Sequence, residues 1–258
     1  MFMNFLFRAG VLLAAYAMPL AMGAQSASPV RSATVAEQYL QSAADQERAA
    51  LHLPPLRRDP ALVEAATLHA EQMVRHNEIS HQFSGEADLS SRGAAAGAHF
   101  SLISENVAEG FSPVEIHDAW MHSPGHRHNL LDRAVDSVGI AVLVRGHQLF
   151  AVEDFARTVR RIPLAQQEAE VATLLEPYGV SLLDDGDARR TCAMSAGYSG
   201  SREPLFVMRY SGGDLSRLPE SLKTRLASGK YSEAAVGACE LSGESNFTGY
   251  SIAVLLYR

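Results

Sequence analysis

Trp120-Met121-His122-Ser123-Pro124-Gly125-His126-Arg127-His128-Asn129-Leu130-Leu131 is the stretch on which the reading of the chain turns. A helix from Pro113 to His122 must stop here, because the residue before a proline is pushed out of helical angles. Ser123-Pro124 then starts a second, shorter helix, with serine at the cap and proline in the first position. On that helix His126 and His128 diverge, and His122 and His126, although four apart, lie on either side of the break. Spacing alone makes neither pair a metal site. Downstream, Val138 to Val144 and Gln148 to Phe155 alternate around Arg145-Gly146-His147, which predicts a hairpin. Upstream, Asp59-Pro60 predicts the start of a helix that runs to about Asn77 and buries Leu62, Val63, Ala66, Ala70, Met73 and Val74. A further helix is expected over Thr34 to His52, with an apolar stripe of Val35, Tyr39, Leu40, Ala43 and Ala44, ended by Leu53-Pro54-Pro55-Leu56. Asp88 to Gly97 reads as an alanine-rich helix. Helices flanking a small antiparallel sheet make an α+β domain.

The chain has 258 residues, 47% of them hydrophobic and 20% charged, enough for one or two domains with cores of their own. A net charge of −7, from 29 acidic and 22 basic residues, argues against a non-specific nucleic-acid binder or a polybasic membrane-surface protein. Two cysteines exclude a disulfide scaffold and a four-thiolate zinc site. Arg8 followed by the apolar run Ala9 to Met22 and small residues reads as a signal peptide over 1–23, the alternative being a retained anchor. With 24–33 as linker, the expectation is an exported protein, periplasmic or secreted. In that oxidising setting Cys192 and Cys239 are candidates for one disulfide worth about 3–4 kcal/mol of loop entropy, against the alternative of two buried thiols.

Arg160-Arg161-Ile162-Pro163 marks a boundary between domains at 34–158 and 159–258. The second is read as a smaller α+β unit, with helices at Leu164 to Glu176 and Leu218 to Ser228. Its expected strands are Arg190 to Ala196, Pro204 to Tyr210, Ala234 to Leu241 and Tyr250 to Tyr257. It shows no cluster of catalytic residue types, and no internal repeat is evident in the sequence. All ten histidines lie between His52 and His147. His69 falls mid-helix as a packing residue, and His52, His76, His99, His117 and His147 fall near ends, turns or polar faces. Neither His-Glu-x-x-His nor Gly-x-Ser-x-Gly occurs.

After Leu53-Pro54-Pro55-Leu56 a series of short motifs follows in order: Ser80-His81, Arg92 to Gly97, Glu105-Asn106-Val107-Ala108, the Trp120 to Leu131 stretch, Gly139-Ile140-Ala141-Val142, and Ala151-Val152-Glu153-Asp154-Phe155. The ordered set, over roughly residues 34–157, resembles the CAP superfamily of SCP-domain proteins, and most closely its bacterial branch with the Ser-Pro-Gly-His-Arg form. The resemblance implies an α-β-α sandwich with a cleft floored by two histidines and two acidic residues. By motif these are His81, Glu105 and His126, whereas the second glutamate is replaced by Ser123. The tetrad is therefore incomplete, which puts in doubt any mechanism that needs two carboxylates.

Two imidazoles and one carboxylate are a donor set for Zn²⁺ or another divalent metal with an open position, which in principle activates water. The same three groups would also serve as a purely structural network. Trp120 is expected to anchor its helix, Asn106 and Asn129 to satisfy backbone groups, and Arg127 to pair with Asp154 or Glu153. The leading expectation is an exported protein whose cleft binds a divalent metal or small ligand. Its rivals are a metal-assisted hydrolase of peptides or esters and a module that binds protein or envelope polymer. Lipid or sterol capture would need an apolar groove, which the sequence does not locate. Nucleic acid is not expected as a partner, nor a transmembrane span in the mature chain.

Overall fold

A computed structural model describes residues 32–184, 186–240 and 246–258. The leader read at 1–23 and most of the linker at 24–33 lie outside the described residues. Residues 32–258 form one compact unit built on two four-stranded sheets.

In the first half, α1 (Val35–Ala50), α2 (Pro60–His76), α3 (Leu89–Ala95), α4 (Pro113–His122) and α5 (Pro124–Leu131) surround a sheet of β1 (Arg57–Arg58), β2 (Phe100–Gly110), β3 (Ser137–Arg145) and β4 (Gln148–Thr158). The strand order is β1-β3-β4-β2, with β1 parallel to β3 and the other pairs antiparallel. One sheet face packs Ala66, Ala70 and Met73 of α2 against Val107, Phe150 and Val152. The other packs Leu40, Ile116, Trp120 and Leu130 of α1, α4 and α5 against Ile140, Ala151 and Phe155. This is an α-β-α sandwich.

Local sequence sets the boundaries. Thr34 caps α1 through a reciprocal capping box with Glu37. Asp59 accepts from the N–H groups of Ala61 and Leu62, and Asn77 ends α2 in the left-handed region. At the α4–α5 break Ser123 holds the cap position by its backbone, but its side chain makes no capping bond.

The stripe expected on α1 is corrected. Val35 is 84% exposed and Tyr39 is exposed too, while the charged Glu37 and Arg48 are buried with Leu40, Ala43 and Ala44. Both charges satisfy backbone groups. Glu37 accepts from the N–H of Val142, and Arg48 donates to the carbonyls of Pro54, Leu130, Asp132 and Val135. The strand β2 was not evident from alternation, since Ser104, Glu105, Asn106 and Glu109 interrupt its apolar pattern; two of these polar groups are buried at the site described below.

The second half holds α6 (Leu164–Leu175), β5 (Ser181–Leu183), α7 (Asp187–Cys192), β6 (Phe206–Gly212), α8 (Glu220–Leu226), β7 (Glu233–Cys239) and β8 (Tyr250–Tyr257). Arg190 to Ala196, expected as a strand, lies instead in α7 and the turn after it. Gly186 opens that helix in the left-handed region, and Cys192 at its end bonds to Cys239. The disulfide joins helix to strand across residues 47 apart.

The sheet order is β5-β7-β8-β6, again with one parallel pair, β5 and β7. Val171, Leu175, Leu222 and Leu226 of α6 and α8 cover one face, and Ala188 and Cys192 of α7 the other. This is the connectivity of the first half repeated, with α6, α7 and α8 in the places of α1, α2 and α4. Counterparts of α3 and α5 are missing among the described residues. The repeat is not evident in the sequence because the second half keeps the strand order without the residues of the motifs, Gly237, Ala253 and Arg209 standing where the first half has Gly139, Asp154 and Glu105.

Candidate functional site

The site of the first half forms where β2 and β4 run side by side under α2 and α3. Glu105 on β2 stands directly across from Asp154 on β4, and both project to the α2 face. His81 lies on the loop after α2, and its Nδ1 is 2.9 Å from Glu105 Oε1. The other carboxylate oxygen receives the guanidinium of Arg92 on α3, which also donates to the carbonyls of His81 and Ala87. Glu105 is thus occupied on both oxygens and is buried.

His69, expected as a partly buried packing residue, is fully buried and belongs to the same polar network. Its Nδ1 is 2.7 Å from Glu86 Oε1 and its Nε2 2.7 Å from the Ser80 carbonyl, with Glu105 Oε2 at 3.8 Å. A backbone carbonyl only accepts, so Nε2 donates. Glu86 accepts from the Phe83 N–H and also receives Gln82 at its own carbonyl, which pins the loop carrying His81. The only sequence signal for this role was a histidine on the otherwise apolar buried stripe of α2.

His126 is half-buried on α5. Its loop is fixed by Asn106, which donates to the His126 carbonyl and accepts from Asn129; Asn129 also donates to the Glu105 carbonyl. Trp120, fully buried, donates from its indole to the Val107 carbonyl. The hydrogen bond that His81 donates to Glu105 holds the pKa of His81 above the ordinary histidine value, whereas burial, and then the nearby His81, lower that of His126. The two imidazoles are thus shifted in opposite directions, and His81 contributes to the shift of His126. Side-chain exposure of 61% leaves His81 open to solvent. Ser123 lies at the α4–α5 elbow.

The expected pairing of Arg127 with Asp154 or Glu153 is not made. Both acids are fully buried, whereas Arg127 is exposed and borders a hollow of about 650 Å³ with Leu51, Met121, Pro124 and Leu131. Burial pushes the Asp154 carboxyl well above the usual range, and the Glu105 carboxylate adds to the shift. Asp154 thus faces Glu105 across the strand pair with its charged form disfavoured. On the opposite sheet face Glu153 stands across from Asn106, and burial pushes it up to about 8 against a smaller downward pull from the Asn106 amide.

A raised carboxyl stabilises the fold only where the unfolded chain is also protonated. Its contribution is complete below about pH 4.5 and is lost as pH climbs toward 8. Glu153→Gln removes that loss, and should match wild type near pH 4.5 while gaining on the order of 3 kcal/mol at pH 7. Parallel urea midpoints of the two proteins from pH 4.5 to 8 would refute a buried, protonated Glu153.

Residues 41–155 match the CAP, cysteine-rich secretory protein, family. The Bacillus subtilis protein YkwD is 30% identical over 101 residues, which is 39% of this chain and 39% of YkwD; the chain thus spans well under half of that relative's length. Among solved structures, an extracellular protein containing a SCP domain from Bacillus anthracis shares 27% identity over 48% of this chain and 40% of its own, with a TM-score of 0.44. An outer surface protein of Borrelia burgdorferi shares 23% identity over 48% of this chain and 92% of its own, with a TM-score of 0.45.

Proposed function

Starting from the CAP domain formed by residues 41–155, we propose that this is an exported protein whose His81–His126 face binds a divalent cation or a small polar ligand. The observation that carries the reading is the 2.9 Å contact of His81 Nδ1 with Glu105. It fixes the ring and leaves Nε2 as the free nitrogen, the arrangement in which a carboxylate orients an imidazole for an outside ligand. His126, its pKa lowered by burial, supplies a second imidazole biased toward the neutral form a metal ligand needs. Such nitrogen donors suit Zn²⁺ and its neighbours. Glu105 is not a further ligand, since Arg92 and His81 hold its oxygens, and no group of three or more His, Cys, Asp or Glu stands ready for a metal among the described residues. The chain would thus supply two ligands, with solvent or a bound molecule completing the set. A resident metal would act there as a Lewis acid.

A hydrolase has less support. The carboxylate closest to the imidazoles is engaged by a guanidinium, and its neighbour Asp154 is sealed from water, so neither is placed to take a proton from an attacking water. Export is supported by the apolar leader in the sequence and by the disulfide between Cys192 and Cys239. No helix among the described residues is long and apolar enough to cross a membrane.

The test is calorimetric titration of the tag-free protein with Zn²⁺ beside a His81→Ala/His126→Ala double variant. One site of micromolar affinity, abolished in the variant, is the expected outcome. No binding by wild type, or equal binding by both, would remove the reading.

A further inference from the structure

We propose that the segment leading into β8 of the second half, Asn246 to Gly249, positions the His81 site of the first half through α3. The inference rests on the reading of His81 as a ligand-binding residue and names what holds it in place. It begins with a weakness in α3. A helix of seven residues is too short to persist by its own hydrogen bonds and must be held by its neighbours. Yet α3 carries Arg92, and Arg92 clamps both Glu105 and the carbonyl of His81. Whatever fixes α3 fixes the ring of His81.

Part of that support comes from the second half. The Asn246 amide donates to the hydroxyls of both Ser90, at 3.1 Å, and Ser91, at 2.9 Å, in the first turn of α3. The Thr248 N–H donates to the Phe100 carbonyl at 2.7 Å, and the Phe247 ring meets Phe100 edge-on with centroids 5.4 Å apart. Phe100 is in turn the seat of α3. Gly93, next to Arg92, lies so close that a Cβ there would be 3.0 Å from the Phe100 ring and 2.9 Å from Ile103. Contact is therefore continuous from Phe247 through Phe100 and Gly93 to Arg92, Glu105 and His81, with a second line through Ser90 and Ser91. The base of the segment is anchored as well, because Cys239, the last residue of β7, is bonded to α7.

These are positioning residues, since none of them faces the imidazoles. Their effect should be read in the ring of His81 and not in stability alone. With Nδ1–H donated to Glu105, neutral His81 is held in the Nδ1–H tautomer, and imidazole nitrogen NMR shifts report that population directly.

The experiment compares wild type, Asn246→Ala/Phe247→Ala, the milder single Asn246→Ala, and Arg92→Lys as a control that must disturb Glu105. Each is measured in the full chain without metal, at a pH where His81 is neutral. Nitrogen shifts of His81 in both segment variants should move toward those of a solvent-exposed imidazole, in the direction set by Arg92→Lys, while the chain stays folded. Should the double variant fail to fold, the single one decides. Zn²⁺ affinity should fall about 3- to 10-fold in parallel. Unchanged His81 shifts in the segment variants, with the control shifted, overturn the proposal. If wild type binds no Zn²⁺, the reading of the site fails while the ring shifts still decide the coupling.

Discussion

Gly139→Ala should destabilise the protein by more than about 4 kcal/mol, and Gly237→Ala should do the same to the second half. Gly139 lies on β3 where α2 crosses it, and a Cβ there would stand 2.1 Å from the Leu62 carbonyl carbon and 2.3 Å from the Val63 nitrogen. These are main-chain atoms of a helix 17 residues long, so no rotamer change relieves the clash. The whole helix must withdraw by more than an ångström, opening the layer that contains Leu62, Ala66, Ala70 and Met73, and dispersion contacts fall away steeply over such a gap. Gly237 repeats the geometry on β7, where the added carbon would lie 2.1 Å from both Ala188 C and Arg189 N of α7. The disulfide from α7 to the end of β7 gives that helix little room to retreat. Gly125→Ala is the control: nothing lies within 4 Å of its Cβ, its φ is not in the left-handed region, and its cost should stay within about 0.5 kcal/mol. Urea unfolding of the three variants measures this. A midpoint for Gly139→Ala equal to that of Gly125→Ala would show that α2 is free to move off the sheet.

The paired glycines also show how two parts of the site diverged in the two halves. Gly139 is opposite Asp154, which is opposite Glu105; Gly237 is opposite Ala253, which is opposite Arg209. The second sheet thus keeps the helix-on-strand contact but has alanine and arginine where the first has its two acids. Arg209 there donates to the carbonyls of Thr191 and Gly197 and ties down the turn after α7. The architecture repeats and the chemistry does not.

What the sequence disclosed follows the same division. The cap at Asp59, the break at Ser123-Pro124 and the hairpin around Gly146 are local devices, and each stands where local rules place it. His81, Glu105 and Asn106 were found through ordered motifs, and two of them meet at 2.9 Å. Long-range polar burial escaped. Arg48, Glu37 and Arg92 look like surface residues by composition, and His69 like a partly buried packing residue, because nothing within a few positions reveals the carbonyl or carboxylate that will meet them. The pairing of Arg127 with Asp154 failed for the same reason: charge complementarity in a sequence says nothing of which face of β4 an acid occupies.

Arg48 carries the second large effect. Arg48→Met should cost roughly 3–5 kcal/mol, although methionine fills most of the volume and suits a helix as well as arginine does. The guanidinium, fully buried, donates at 2.9 Å to the carbonyls of Pro54, Leu130 and Asp132 and at 3.3 Å to that of Val135. Those carbonyls belong to the turn after α1, to the last turn of α5 and to the segment joining α5 to β3, where no helical or strand hydrogen bond reaches them. One side chain thus ties α1 and the turn after it to the end of α5 and the segment that follows. Burial lowers the pKa of Arg48, opposed by the nearby charges of Asp45 and then Asp132, but a guanidinium starts so high that it stays charged. Methionine removes every donor and leaves the carbonyls buried and unpaired, each costing about 1–3 kcal/mol where water cannot reach. Lysine should not rescue the loss, because a single ammonium lacks the planar fork that reaches carbonyls on both sides at once. Thermal melts and urea midpoints of Arg48→Met and Arg48→Lys provide the measurement, with both expected well below wild type and Arg48→Lys only slightly above Arg48→Met. A fully stable Arg48→Lys would mean that charge, and not the geometry of the fork, holds α5 in place.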